Sequence, residues 1–341
     1  MLGLRAVLNP FHPLGDLHMK TPLYIVYADI YLDWLLGAGD GSHPTNPVRA
    51  KLATELLVER LGKAARVINP IKRGEAKADR AKLDATHDTA YVAETLGGNN
   101  GQWYRKSKKV ADAGFAMFRG TIRAVELILA GKAKVVFNPQ GAKHHAQFDR
   151  GSGFCVFNDM AYAALAFKAA GLKPLYIDWD IHAGDGTYRM LKGKGVPTIS
   201  IHHGSIYPGD PAIQCLDGSR REVVDADNDA YGINVNGGDG DDVFKRAIDR
   251  ASEIIDSYKP DVILVAAGAD GHEGVGNLGA IANYTKEGFR YAAEMVARKA
   301  NEYAEGRVLI GGAGGYQPLK ETPETWALVV ETIYNNTQKG A

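Results

Sequence analysis

The most chemically dense stretch of the chain is Tyr176-Ile177-Asp178-Trp179-Asp180-Ile181-His182-Ala183-Gly184-Asp185-Gly186. Asp178, Asp180 and His182 stand at i, i+2 and i+4, a spacing that on a strand turns all three to one face. Such groups at a buried strand end must be paired, hydrogen-bonded or bound to a cation, because desolvating them alone is costly. Mixed nitrogen and oxygen donors suit Zn²⁺, while a salt-bridged strand end with a capping aspartate is the alternative. A second apolar run ends in Ala267-Gly268-Ala269-Asp270-Gly271. Asp270 there is either a further ligand from a neighbouring strand or a cap or turn residue. His144-His145, within Gly141-Ala142-Lys143-His144-His145-Ala146, can set two imidazoles side by side for proton transfer near pH 7, or simply lie on the surface. His202-His203 ends another run but has no carboxylate two residues to either side, which marks it as structural lining. Gly311-Gly312-Ala313-Gly314-Gly315-Tyr316 completes neither a dinucleotide fingerprint nor a phosphate-binding loop. Its glycines permit a close, adaptable backbone approach to a site, and the Tyr316 hydroxyl is either a neutral donor to a developing oxyanion or part of a core ring.

These residues act together only if the strands that carry them end side by side. Eight short apolar, β-branched runs are present: 23–27, 66–69, 134–138, 174–178, 198–202, 232–235, 262–266 and 308–311. Stretches with helical periodicity lie between them, including 48–61, 118–129, 160–170, 243–255 and 289–303. Strand and helix in repetition predict one α/β domain, an eight-stranded parallel sheet with helices on both faces. Loops after the carboxyl ends of such strands build ligand sites, which directs attention to 97–101, 204–228 and 271–283. The domain is expected over 21–341. Residues 1–20, interrupted by Pro10, His12, Pro13 and Asp16, read as a loosely ordered leader rather than a signal peptide, with Met19 an alternative start.

Composition narrows the function classes. Lys+Arg and Asp+Glu number 40 each, so no basic excess exists to neutralise phosphates, and nucleic acid is not an expected partner. With 45% hydrophobic and 23% charged residues the chain is an ordinary globular one, not a disordered one. At 341 residues, against about 150 per domain, the length allows two domains but no composition shift divides them. Two cysteines, Cys155 and Cys215, make no disulfide framework and no CxxC zinc ribbon, which fits a reducing cytoplasm. No apolar run of about 18 residues is present, so a membrane-spanning helix is not expected.

Taken in order, these motifs resemble those of the zinc-dependent deacetylase superfamily, which includes histone deacetylases, acetylpolyamine amidohydrolases and bacterial acetoin-utilisation deacetylases. The resemblance runs through His43-Pro44 to Pro47-Val48-Arg49, His87-Asp88 to Tyr91-Val92, His144-His145-Ala146 and Gly153-Phe154-Cys155-Val156-Phe157-Asn158-Asp159. It continues with the DxDxHxGDG run, Tyr207-Pro208-Gly209, Gly268-Ala269-Asp270 and the segment ending at Tyr316. It implies an arginase/deacetylase-type fold and hydrolysis of an acetyl or other acyl group from an aminoalkyl amide such as an acyl-lysine, an acetylpolyamine or a small acetylamide. It also implies one Zn²⁺ on Asp180, His182 and Asp270 with an open position. By the same resemblance, His145 is the general base paired with Asp185, His144 its electrostatic partner held by Asp178, and Tyr316 the oxyanion donor. Gly153, Phe154 and Tyr207 become tunnel walls. A K⁺ ion is implied near Asp178, through Asp178, the main-chain oxygens of Asp180 and His182, and Ser200.

The departures concern substrate. Lys143 stands where many members carry glycine or an apolar residue, and Ala183 replaces a second histidine. Val275-Gly276-Asn277 replaces an Asp-Pro rim, and the neutral Asn277 argues against the acidic gate of a polyamine specialist. The 97–101 loop lacks the acidic residue that histone-type members use on a peptide backbone. A dimanganese ureohydrolase of arginase type is an alternative that needs a second carboxylate-rich ligand set. A non-catalytic acyl-lysine reader is another, though it needs a tunnel and not the His pair, three ligands and Tyr316 together. Self-association is compatible with the sequence.

Overall fold

The structure, a computed structural model, describes residues 21–37, 43–101, 103, 106–274 and 281–337. The expected leader at 1–20 and Asn277 lie outside the described residues. Each of the eight apolar runs forms a strand: β1 (Leu23–Val26), β2 (Ala65–Ile68), β3 (Val135–Asn138), β4 (Pro174–Asp178), β5 (Thr198–His203), β7 (Ala230–Val235), β8 (Val262–Ala267) and β9 (Val308–Gly312). A further strand, β6 (Glu222–Asp225), falls inside the segment expected to be loop. The sheet order is β2-β1-β3-β9-β8-β4-β5-β7-β6, parallel throughout except that β6 runs antiparallel to β7 at the edge. The sheet therefore has nine strands, eight of them the expected parallel set. β6 escaped notice because it is four residues long and only Val223 is buried, too short for an alternating pattern to register.

Strands β3, β4, β8 and β9 are buried along their whole length, as continuous apolar runs covered on both faces should be. Side chains alternate between two layers. Leu175, Ile177, Ile263, Val265 and Ile310 pack with helices α1 (Val48–Leu61), α7 (Asp241–Tyr258), α8 (Lys286–Tyr303) and α9 (Glu321–Thr337). Tyr176, Leu264 and Leu309 face the other way, against α4 (Lys108–Leu129) and α5 (Asp159–Ala169). Three shorter helices complete the order: α2 (Ala76–Asp84), α3 (Thr89–Leu96) and α6 (Asp185–Leu191).

The consequence for the site lies in the order β3-β9-β8-β4 at the centre of the sheet. The segment after β3 carries His144-His145, that after β4 carries Asp180 and His182, that after β8 carries Asp270, and that after β9 carries Tyr316. Four adjacent carboxyl ends thus meet, although their residues are spread from position 144 to position 316. Among the described residues no helix is long and apolar enough to cross a membrane.

Candidate metal and catalytic site

The expectation that Asp178, Asp180 and His182 share one strand face is corrected by the structure. β4 ends at Asp178, and the chain then turns, so Asp178 and the next two groups have different neighbours. Asp178 accepts from His144 Nδ1 (2.7 Å), from the Tyr176 hydroxyl (2.7 Å) and from the Asp180 amide (2.9 Å). Asp180 and His182 instead converge with Asp270. His182 Nδ1 lies 3.1 Å from Asp180 Oδ1 and 2.9 Å from Asp270 Oδ2, and one donor atom from each of the three residues falls within 4.8 Å of the others.

The backbone around this cluster has been cleared of side chains. A Cβ on Gly314 would sit 2.3 Å from Asp270 Oδ2 and 2.5 Å from Asp180 Oδ2, and one on Gly268 would sit 2.3 Å from Asp180 Cα. The glycine run before Tyr316 does approach the site closely, yet it is pinned where the sequence suggested adaptability. Gly314 N–H donates to Asp180 Oδ2 (2.5 Å), Gly314 C=O accepts from Ala269 N–H (2.7 Å), and Gly315 C=O accepts from Arg49 Nη1 (2.5 Å). A Gly314→Ala variant is therefore expected to push the two carboxylates apart. Its metal affinity should fall by about 10–100-fold, the scale for disturbing groups that orient ligands, with zinc titration against a competing chelator as the check.

Charge within the cluster follows from crowding. Burial and the neighbouring Asp180 push Asp270 up to about 6. Burial would also raise Asp180, but His144 and His182 hold it well below the carboxylate range. Burial would lower His182, yet the two carboxylates raise it to about 10, so without a metal its proton occupies the space between them. Two buried carboxylates and an imidazole converging with no other cation between them are the donors a tetrahedral dication takes.

The His pair is held from behind by the Phe157-Asn158-Asp159 motif. Lys143 N–H and Ala142 N–H donate to Asp159 (2.9 and 3.1 Å), and Asn158 Nδ2 donates to Ala146 C=O (3.0 Å). The two rings lie 4.0 Å apart between centroids, but their surroundings separate them. His145 Nδ1 donates to Asp185 Oδ1 (2.7 Å), the pairing the family resemblance implied. Burial and the charge of His144 pull His145 down to about 4. Burial opposes charge on His144 too, but Asp178 and Asp180 outweigh it and raise the group to about 9. The surroundings therefore disfavour charge on His145 and favour it on His144.

The tunnel residues gather at the same place. The Tyr207 ring lies 4.9 Å from His145 and 6.4 Å from His182, and its hydroxyl shares a hydrogen bond with Ser152 (2.6 Å). Gly153 presses against His145, where a Cβ would meet Cδ2 at 2.3 Å. Phe154, at φ +64°, stacks edge-on to His43 at 4.6 Å. Tyr316 is buried with its ring 6.4 Å from that of His182, and burial keeps its hydroxyl protonated. Ser200 pairs in register with Asp178 across β4 and β5, while its hydroxyl meets Gly184 N–H (3.2 Å) and His202 Nδ1 (2.8 Å). His202 is buried between that hydroxyl and Ile213 C=O.

Two site neighbours were given no role from the sequence, although Arg49 closes the Pro47-Val48-Arg49 motif. Arg49 is buried, lies over the Trp326 ring at 5.0 Å and holds the Gly315 carbonyl. Gln147 Nε2 donates both to Asp185 Oδ2 (2.7 Å) and to His145 C=O (3.0 Å), fixing the carboxylate that orients His145. Nothing in a helix-start arginine or an isolated glutamine marks such a role before the loops are folded.

Comparison with known proteins agrees with this geometry. The histone deacetylase domain family matches residues 43–333. The chain belongs to that family. It is 29% identical to the acetoin utilization protein AcuC of Bacillus subtilis (strain 168), covering 84% of this chain and 76% of that one. It is equally 29% identical to AcuC of Staphylococcus aureus (strain MRSA252), covering 92% and 81%. Histone deacetylase 18 of Arabidopsis thaliana is 31% identical over 60% of this chain and 31% of its own length. Membership makes this histone deacetylase domain protein a deacetylase-type hydrolase.

Proposed function

We propose that this family member is a zinc-dependent amidohydrolase that removes an acyl group from an aminoalkyl amide, an acyl-lysine, an acetylpolyamine or a small acetylamide. The observation that carries this is the meeting of a three-donor cluster, a neutral His145 locked by Asp185, and the protonated Tyr316 at four adjacent strand ends. Asp180, His182 and Asp270 would hold the ion, which when bound supplies Lewis-acid polarisation and a more acidic water.

The remaining chemistry belongs to the chain's own groups. With Nδ1 committed to Asp185, His145 takes the proton of the attacking water on its other ring nitrogen and returns it to the departing amine nitrogen. His144, kept cationic by Asp178, disfavours charge on His145 until that proton arrives. The Tyr316 hydroxyl donates to the oxygen that becomes negative as the carbonyl carbon turns tetrahedral. Phe154 and Tyr207 offer aromatic walls to the methylenes of an aminoalkyl chain. A potassium ion beside Asp178 and Ser200 would have a structural part in holding the end of β4.

Among the described residues the Asp180, His182 and Asp270 group is the cluster of this kind, which supports one ion and not a dinuclear centre. Elemental analysis of purified protein is expected to find one zinc per chain, and Asp180→Ala to lose it. Two manganese ions per chain, or full metal content in Asp180→Ala, would refute the assignment. A panel of acyl-lysine peptides, acetylpolyamines and small acetylamides tests the substrate class, and absence of hydrolysis across the panel by metal-replete protein would leave the reader alternative standing.

A further inference from the structure

At the reacting groups lies a small cavity of about 30 Å³, lined among others by Arg49, Lys143, His145, Phe154, Asp180 and Tyr316. It has room for roughly two water molecules at ~10–15 Å³ each. Besides His144 its lining holds two buried side-chain cations, Lys143 at 5% exposure and Arg49 at 3%. Among the described residues neither makes an ion pair or hydrogen bond with a carboxylate, and the charges of Asp180 and Asp270 act on Arg49 only from a distance. The Lys143 ammonium donates to the neutral Gln140 Oε1 at 3.2 Å. Asp159 acts on it only from a distance and is already committed to Thr121 and to the amides of Ala142 and Lys143. Arg49 spends Nη1 on the Gly315 carbonyl, and its buried Nε has no partner. The carboxylate in the lining, Asp180, is taken up by His182 and the Gly314 amide.

Buried cations without counter-ions are expensive unless an anion joins them. We infer that Lys143 and Arg49 form a carboxylate-binding subsite beside the candidate metal site, and that the acyl groups removed include a short one ending in a carboxylate, of the malonyl type. This rests on the amidohydrolase reading above and names its acyl class. An acyl group whose carbonyl lies beside Asp180 and Tyr316 sits within the lining of this cavity, and one methylene plus a carboxylate is close in size to the two waters the cavity could hold. The reaction is a hydrolysis. Water's oxygen joins the acyl carbon, the C–N bond breaks, the nitrogen gains a proton, and the products are the free amine and a dicarboxylate.

The test compares a malonyl-lysine peptide with the 3-methylbutanoyl peptide, which is neutral and of the same branched shape. The wild type is expected to prefer the malonyl peptide by at least tenfold in kcat/KM. Lys143→Met, which keeps chain length and removes the charge, is expected to abolish that preference, and Lys143→Arg to retain it. A wild-type preference for the neutral peptide, or a ratio unchanged in Lys143→Met, overturns the inference. A second arm needs no turnover: malonate titrated calorimetrically into metal-free protein should bind wild type and bind Lys143→Met at least tenfold more weakly. Equal binding, or none to wild type, also overturns it. If acetate binds as well as malonate and the peptide ratio is flat, the subsite holds only the released acid and the acyl class is wrong. If no acylated peptide is hydrolysed at all, the amidohydrolase reading fails, while the titration still decides whether the anion subsite exists.

Discussion

Replacing His145 by alanine is expected to lower kcat by about 10²–10⁴, the range for a positioned general acid/base, while zinc content stays at the wild-type level. The expectation rests on three observations. His145 is buried, Asp185 fixes its Nδ1 at 2.7 Å, and burial with the charge of His144 holds it near 4, so it enters the reaction unprotonated. His144→Ala should cost less, because His144 is raised to about 9 by Asp178 and Asp180 and acts as a standing charge, not a carrier of the proton. Steady-state kinetics on whichever amide is turned over, with metal measured in each variant, decides the matter. A His145→Ala enzyme as active as wild type with its metal in place would remove the proton-transfer role, and a larger loss in His144→Ala would reverse the two assignments.

Tyr316→Phe is expected to lower kcat by about 10²–10³ with KM nearly unchanged, as for removal of a single oxyanion donor. The phenylalanine ring keeps the packing of a side chain that is 7% exposed and held behind the pinned Gly314-Gly315 backbone. Fold and metal binding should therefore survive, which isolates the hydroxyl. Burial keeps that hydroxyl protonated across the working pH range, so it is a donor throughout. A variant retaining more than roughly a third of wild-type kcat, far short of the loss typical for such donors, would reduce Tyr316 to a packing residue.

Much of this was legible in the chain itself. The eight parallel strands follow from short β-branched runs, because burial on both faces of a parallel sheet demands continuous apolar residues. The donor types at 180, 182 and 270 and the neighbouring histidines at 144 and 145 were likewise visible as residue types that a buried strand end does not tolerate without partners. The edge strand at 222–225 was not visible, since four residues with one buried valine carry no period. The run 174–178 ended where β4 ends, but the i, i+2, i+4 spacing put Asp178, Asp180 and His182 on one face, whereas the turn after the strand separates Asp178 from the cluster formed by Asp180, His182 and Asp270.

Only the tertiary structure decided which groups meet and in what state. Hydrophobic periodicity is a property of neighbours along the chain, whereas the order β3-β9-β8-β4 is set by how helices cover the two faces, and that order alone brings positions 144 to 316 to one place. Two adjacent histidines are equivalent as letters. They come to differ in charge preference because one faces Asp185 and the other Asp178 and Asp180. Lys143 stands out in the sequence only as a departure from the family pattern; the fold buries it beside Arg49, where the cost of desolvating an unpaired charge makes it a candidate for binding an anion.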